Sequence, residues 1–140
     1  MATEIDSPFL WFSQLVNGTP KPWRHFRIDG VMVNAYEIIR KRRIDALVRQ
    51  RGIHDYLGFD GPIVMDSGGF LFMKKRTLDV DPQRILELYE TSQPDFGVIL
   101  DHPLEPNLPL TERRSRQMRT LKNTEYMVKL HKNQNPELFP

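Results

Sequence analysis

The chain has 140 residues, of which 39% are hydrophobic, 27% are charged and none is cysteine. This composition predicts one ordinary folded domain and excludes disulfides, zinc–thiolate sites and thiol nucleophiles formed by these residues. The sequence contains no apolar run of the roughly 18 residues that a membrane span needs and begins with no basic or apolar leader, so it predicts a cytoplasmic protein that makes no membrane contact.

The basic residues are grouped, although the formal net charge is only +2. The groups lie at residues 40–43, 74–76 and 113–122. Solvated helix faces and loop ends explain such groups in most proteins. Contact with the phosphate backbone of a nucleic acid is the alternative.

Residues 1–29 are predicted to form an irregular amino-terminal segment, because a turn and proline cluster at residues 17–22 interrupts the pattern. The first strand is predicted at residues 30–34, and its continuous hydrophobicity is typical of a strand that is covered on both faces. An amphipathic helix follows over about residues 35–50, and Gly52 ends it. Its buried face is predicted to carry Tyr36, Ile39 and Leu47.

A second strand is predicted at residues 62–65, and the helix after it begins with Asp81 as its N-cap and Pro82 in its first turn. This helix runs to about Ser92. We expect it to bury Ile85, Leu86 and Tyr89.

A third strand is predicted at residues 96–100, before a long helix over residues 112–132 on which Met118, Leu121 and Val128 share a face. Three strand–helix units in succession indicate the α/β class with a parallel sheet. Three units cannot close an eight-stranded barrel. Either the sheet stays open, or residues 30–140 are the first part of a larger architecture.

Polar residues follow all three predicted strands: Asn34, the turn that starts at Asp66, and Asp101. Parallel α/β barrels assemble their active face from polar groups at the ends of successive strands. Each residue also has a plainer interpretation. Asp66 could cap a turn, and Asp101 could pair with an arginine or hydrogen-bond its own loop.

Several stretches, in order, resemble the tRNA-guanine transglycosylase family of queuine and archaeosine tRNA-ribosyltransferases, and in particular its archaeal branch. They are residues 31–36, 52–54, the string FDGPIVMDSGGF at residues 59–70, and residues 95–101. The resemblance runs from about residue 30 to 139. It implies that residues 30–140 are the amino-terminal portion of a (β/α)8 TIM-type barrel with parallel strands, about three βα units long.

The resemblance also implies an activity, in which a guanine in a polynucleotide is cut from its ribose and replaced by a 7-deazaguanine base. It implies that Asp66 is the acid/base and base-binding aspartate, and that Asp101 accepts hydrogen bonds from the N–H edge of the purine. It further implies a substrate-binding loop whose small residues let the base approach, namely Ser67, Gly68 and Gly69. The aromatic ring that it implies to stack on the base is that of Phe70. Leu71 stands where the family usually has glutamine, which removes one polar contact to the base.

The family's nucleophilic aspartate, its glycine-rich base loop and its cysteine–histidine zinc site correspond to positions after Pro140. The sequence therefore predicts no metal or cofactor bound by this chain. It also predicts an activity that needs a second polypeptide or a continuation, with a homo-oligomer as another arrangement. The nucleic-acid partner is tRNA or DNA.

An alternative function is a non-catalytic subunit that binds a purine base or nucleic acid. An unrelated metal-dependent hydrolase is disfavoured, because the four histidines show no paired ligand spacing.

Overall fold

The computed structural model describes residues 21–69 and 80–135 in full, and residues 11–14 by their backbone. Within these residues, four parallel strands form one sheet in the order in which they occur along the chain. The strands are β1 (Trp11–Gln14), β2 (Gly30–Asn34), β3 (Ile63–Asp66) and β4 (Phe96–Gly97). The α/β class and the parallel sheet are confirmed, and the eight-stranded barrel stays a prediction.

Helices connect the strands and cover one face of the sheet. A short 3-10 helix occupies Pro22–Arg24. The α-helices are α1 (Ala35–Ile39), α2 (Arg42–Arg51), α3 (Ile53–Leu57), α4 (Pro82–Ser92) and α5 (Leu110–Gln134). None of the helices in the described part of the chain is both long and apolar enough to cross a membrane.

Strand β1 is the main difference from the sequence prediction at the amino-terminal side. Residues 1–29 were expected to be irregular, but Trp11 to Gln14 pair in parallel with Gly30 to Val33 of β2. A strand of four residues has little local signature, because its backbone hydrogen bonds are all made to a neighbour that is distant in sequence. That prediction was therefore wrong for residues 11–14.

The core lies between the sheet and the helices. Val31, Val33, Ile63 and Met65 point from β2 and β3 into this layer and are fully or almost fully buried. The opposite face of the sheet is more open, since Met32 is 39% exposed. The expectation that β2 is covered on both faces is thus not met within the described residues.

The helix predicted over residues 35–50 is divided into α1 and α2. The chain leaves helical geometry at Lys41, where φ is −109° and ψ is 86°. Lys41 stays close to α1 because its ammonium group lies 3.1 Å from the carboxylate of Glu37. Gly52 ends α2 as expected, with a φ of 82° that favours glycine.

Helix α4 follows the sequence prediction closely. The side chain of Asp81 accepts a hydrogen bond of 2.9 Å from the amide of Gln83, as an N-cap should. The three residues that were expected to be buried are buried, namely Ile85, Leu86 and Tyr89.

Strand β4 is shorter than predicted, and helix α5 is longer. Only Phe96 and Gly97 pair as a strand, although the amide of Val98 still donates to the carbonyl of Met65 at 2.9 Å. The face that Met118, Leu121 and Val128 share is not the buried face of α5, because Leu121 is 57% exposed whereas Met127, which lies off that face, is 2% exposed. The inner face of α5 instead carries polar side chains that hydrogen-bond the loop after β4, and a search for an apolar stripe overlooks these.

Candidate active site

Three side chains that the sequence analysis singled out lie at the carboxyl edge of the sheet. Asn34 ends β2 and Asp66 ends β3, and the two are Cα partners in the parallel register. Asp101 follows β4, whose residues pair with β3. The structure therefore brings the polar ends of three neighbouring strands to one edge, where α/β barrels place their active sites.

The carboxylate of Asp66 is held by two donors on the same oxygen. Oδ2 accepts hydrogen bonds from Nδ2 of Asn34 at 3.2 Å and from the amide of Gly68 at 3.1 Å. The Oδ1 atom of Asn34 in turn accepts from the amide of Glu37 at 3.0 Å, which caps α1. One asparagine thus links the start of a helix to the carboxylate of the neighbouring strand.

The pKa of Asp66 is raised above its ordinary value. Partial burial is the main cause, since it penalises the charged form, and the nearby Asp101 carboxylate adds repulsion. The amides of Gly68 and Ser67 act in the opposite direction by hydrogen-bonding the ionised carboxylate. A carboxyl group of this kind holds its proton to higher pH than an exposed aspartate does.

Gly69 separates the turn after β3 from Asp101. A Cβ atom at this position would overlap Oδ1 of Asp101 and would lie 2.8 Å from the Asp101 carbonyl oxygen. Only glycine therefore allows the second carboxylate to approach the turn that Asp66 begins. The sequence analysis assigned this glycine to the approach of a base, whereas its direct structural use is the approach of Asp101.

Gly68 and Ser67 are constrained in other ways. Gly68 has a φ of +93°, and a Cβ there would lie 2.6 Å from Cβ of Tyr36 and 2.8 Å from Oδ1 of Asn34. Ser67 is fully buried, and its hydroxyl has no hydrogen-bond partner among the residues that the structure describes. A buried hydroxyl without a partner retains hydrogen-bonding capacity for a ligand.

Helix α5 fixes the loop that carries Asp101. The Thr120 hydroxyl accepts from the amide of His102 at 2.9 Å, and Nδ2 of Asn123 donates to the carbonyl of Leu100 at 2.9 Å. Asp101 is therefore held between two residues that α5 anchors. Sequence reasoning missed Thr120 and Asn123, because polar helix residues with loop partners have no pattern in sequence.

The histidine beside Asp101 lies in a basic environment. Burial lowers the pKa of His102, the positive charge of Arg119 lowers it further, and Asp101 partly opposes these effects. Arg116 is committed to the protein itself, since it lies 3.0 Å from Glu112 and 3.5 Å from Glu105. The positive charge of the basic group on α5 thus reaches the loop that carries Asp101.

Two residues from the sequence analysis, Phe70 and Leu71, lie outside the described residues. The part of the chain that is described contains no group of three or more side chains that could hold a metal ion.

A family model described as queuine tRNA-ribosyltransferase, TGT, matches residues 14–140. The chain belongs to this family. The resemblance noted in the sequence is thereby confirmed, and the match begins at residue 14, before residue 30 at which the barrel domain was expected to start.

Archaeal proteins are among the relatives of this TGT-family chain. The tRNA-guanine(15) transglycosylase of Korarchaeum cryptofilum is 33% identical over 107 residues, which cover 76% of this chain and 18% of the relative. The enzyme of the same name from Methanococcus aeolicus is 32% identical over 109 residues, covering 78% and 17%. That of Methanopyrus kandleri is 33% identical over 105 residues, covering 75% and 22%. The chain therefore spans about a fifth of the length of these relatives.

Proposed function

We propose that this chain forms the base-binding part of a transglycosylase that replaces guanine with a 7-deazaguanine base in tRNA. Family membership and the names of the archaeal relatives support the reaction class. The observation that carries the proposal is the approach of Asp101 to the turn of Asp66, which is possible only because residue 69 is glycine. Two carboxylates so placed suit a ligand that offers several N–H donors, as a guanine-like base does.

Asp66 is assigned to proton transfer. When the bond between base and ribose breaks, the departing base needs a proton, and a carboxyl group with a raised pKa can donate one. The carboxylate that results can accept a proton from the incoming base, which returns Asp66 to its starting state. Asn34 and Gly68 both donate to Oδ2, and Oδ1 is proposed to be the oxygen that faces the base.

Asp101 is assigned to recognition of the purine N–H edge. The repulsion between Asp101 and Asp66 destabilises the free site, and a ligand with N–H donors placed between them relieves it. Ser67, Gly68 and Gly69 are proposed to line the base, and Phe70 is proposed to stack on it. A purely structural role would not require two carboxylates that repel each other at one edge of the sheet, which favours the enzyme over a non-catalytic subunit.

The attack on the ribose is proposed to come from a carboxylate of additional polypeptide, as the family resemblance implies. The share of the relatives that the chain spans, about a fifth, supports this proposal. The open face of the sheet supports it too, since Met32 and Phe96 are exposed on that face and further strands of a barrel would cover them. This polypeptide is either a continuation of the chain or a separate subunit.

The direct test is binding of guanine and of a 7-deazaguanine to the purified chain by calorimetry. We expect Asp66→Asn and Asp101→Asn each to weaken binding at least tenfold. The matched control is Asp55→Asn, because Asp55 is exposed and lies on α3, away from the carboxyl edge. Equal affinities for all four proteins would contradict the proposed base site.

A second test follows incorporation of radiolabelled guanine into tRNA and into DNA, by the chain alone and with lysate from its source. Incorporation into tRNA that needs the lysate supports a shared active site. Incorporation into DNA would mean that the polynucleotide substrate is DNA and would contradict the assignment to tRNA. Base binding without any incorporation would favour the non-catalytic subunit.

A further inference from the structure

The arginines in the basic group at residues 113–122 are divided between two environments. Arg113 and Arg116 hold the loop that follows Asp101, since they donate to backbone carbonyl groups of that loop at 3.0 and 2.9 Å. Arg119 is exposed, and its side chain makes no hydrogen bond or ion pair with the part of the chain that the structure describes. Its positive charge is therefore not used to hold the fold together.

Helix α5 places Arg119 at the level of the loop that carries Asp101. Arg119 directly precedes Thr120, whose hydroxyl accepts a hydrogen bond of 2.9 Å from the amide of His102. Successive helical residues are only about 1.5 Å apart along the axis. The proximity is also evident electrostatically, because the charge of Arg119 lowers the pKa of His102.

The side of α5 that carries Arg119 faces the start of α4. Arg119 shares a helix face with Tyr126, seven residues later, to within about 20°. The hydroxyl of Tyr126 donates to the side chain of Gln83, in the first turn of α4, at 3.1 Å. The two helices run in the same direction, since Glu90 of α4 pairs with His131 further along α5. Arg119, about 10 Å before Tyr126, therefore lies beyond the start of α4, at the carboxyl edge of the sheet.

This edge carries negative charge that a polynucleotide would have to approach. Asp66 and Asp101 repel each other, and they would repel phosphates in the same way. A base that enters the site is still bonded to its ribose, so the phosphates of that nucleotide must come close to the same edge. The acidic residue on the face of Arg119, Glu112, is already paired with Arg116 at 3.0 Å. Arg119 is thus a cation placed to offset the repulsion.

We propose that Arg119 binds a backbone phosphate of the polynucleotide, beside the nucleotide whose base is exchanged. The inference deepens the proposed function and rests on it for the presence of a nucleotide at this edge. Phosphate contacts fix the position of a strand on a protein. Arg113 and Arg116 therefore position the loop, whereas Arg119 positions the strand relative to the two carboxylates.

The first test measures binding of unfractionated tRNA to the complete chain at several salt concentrations, by fluorescence anisotropy. Arg119→Gln should weaken binding about three- to tenfold and should reduce the slope of log affinity against log salt concentration by about one, as the loss of a phosphate contact does. Arg119→Lys keeps the charge and should keep the slope. Loss of the slope in both variants would contradict an electrostatic contact.

The matched control is Arg114→Gln, which removes the same charge from the same helix. Arg114 is also exposed on α5, but a separation of five residues turns it about 140° away from Arg119. Its replacement should change tRNA affinity less than twofold. Equal effects of Arg114→Gln and Arg119→Gln, or no effect of either, would overturn the proposal.

Calorimetry with guanine separates this inference from the proposed base site. Arg119→Gln should bind guanine as the natural chain does, because the free base carries no phosphate. Weaker guanine binding in Arg119→Gln would show that the side chain acts on the base pocket and would overturn the inference. A natural chain that binds tRNA through Arg119 but does not bind guanine would contradict the proposed base site alone.

His102 gives an independent readout at the site. Burial lowers the pKa of His102, the charges of Arg119 and Arg116 lower it further, and Asp101 opposes them. A phosphate bound by Arg119 should raise this pKa, as measured by NMR titration of the His102 ring with and without a short single-stranded RNA. The rise should be smaller in Arg119→Gln and undiminished in Arg114→Gln. A titration that RNA leaves unchanged in the natural chain would place the phosphate elsewhere and overturn the proposal.

Discussion

The side chain of Asn34 contacts two elements at once, since it donates to Oδ2 of Asp66 at 3.2 Å and accepts from the amide of Glu37 at 3.0 Å. The residue that begins α1 therefore also orients the aspartate assigned to proton transfer. Because β2 and β3 are in parallel register with Asn34 opposite Asp66, this contact follows from the sheet itself. Two substitutions separate its two roles.

Asn34→Asp keeps an N-cap of equal quality but replaces the amide donor with a carboxylate. We expect the pKa of Asp66 to rise further, because one hydrogen bond is lost and a like charge is added. An NMR titration of the Asp66 carboxyl group measures this shift. An unchanged titration would show that the contact does not tune Asp66.

Asn34→Ala removes both the donor and the cap. The free energy of unfolding should fall by about 1 kcal/mol from the lost cap alone, and urea denaturation measures the loss. Asn34→Asp is the control, because it retains the cap. If both variants lost the same stability, the cap would not be the cause.

Gly69→Ala tests the approach of Asp101 to the turn. The added Cβ overlaps the Asp101 carboxylate, so either the turn or the loop must move. We expect affinity for a purine base to fall at least tenfold, measured by calorimetry. The control is Gly58→Ala, since Gly58 has a φ of +61° and its added Cβ would meet only Nζ of Lys21 at 3.6 Å.

Both glycine variants should lose stability, by roughly 1–2 kcal/mol for a left-handed alanine and about 1–3 kcal/mol for an overpacked site. Only Gly69→Ala should lose base binding. Retained binding in Gly69→Ala would mean that Asp101 does not contact the base from its observed position.

The raised pKa of Asp66 predicts a dependence of stability on pH. A folded-state pKa above the unfolded value means that the folded protein favours the protonated form. The stabilisation is fully present below the ordinary pKa of 3.8 and is lost as pH rises through the higher folded value.

Asp66→Asn removes this ionisation but keeps an oxygen that can accept from Asn34 and Gly68. The free energy of unfolding of the variant minus that of the natural chain should be more positive at pH 7 than at pH 3. Urea denaturation of both proteins at both pH values measures this difference. Base exchange in the presence of the additional polypeptide should nevertheless be lost, because the amide cannot transfer the proton. A stability difference that does not change with pH would contradict the raised pKa.

The candidate site could be predicted from sequence because its residues follow short buried strands in a fixed order. Asp66 and Asp101 each end a recognisable apolar run, and parallel strands bring such ends together. Helix α4 was equally predictable, since Asp81 and Pro82 mark its start by local chemistry. These features depend on neighbours within a few residues.

The features that sequence reasoning missed depend on partners distant in the chain. Strand β1 is defined by its pairing with β2, and α5 packs through Thr120, Asn123 and Met127 because the loop after β4 presents backbone groups to it. An apolar stripe at helical spacing gave the wrong face for α5, since the exposed Leu121 fitted the pattern. A local sequence pattern contains only one of the two residues that make each of these contacts.

Tyr89 is expected to support the loop that leads to Asp101. It is almost fully buried, and its hydroxyl donates to the carbonyl of Val98 at 2.8 Å. Tyr89→Phe leaves that carbonyl without this donor and should lower the free energy of unfolding by about 1–3 kcal/mol. Urea denaturation followed by circular dichroism measures the change.

Tyr126→Phe is the matched control. Tyr126 is 42% exposed, and its hydroxyl donates to the side chain of Gln83 at 3.1 Å, where water can replace the bond. Its loss should change stability by no more than about 0.5 kcal/mol. Because Val98 lies three residues before Asp101, Tyr89→Phe should also weaken base binding, whereas Tyr126→Phe should not. Equal effects of the two substitutions would show that the buried hydroxyl does not hold this loop.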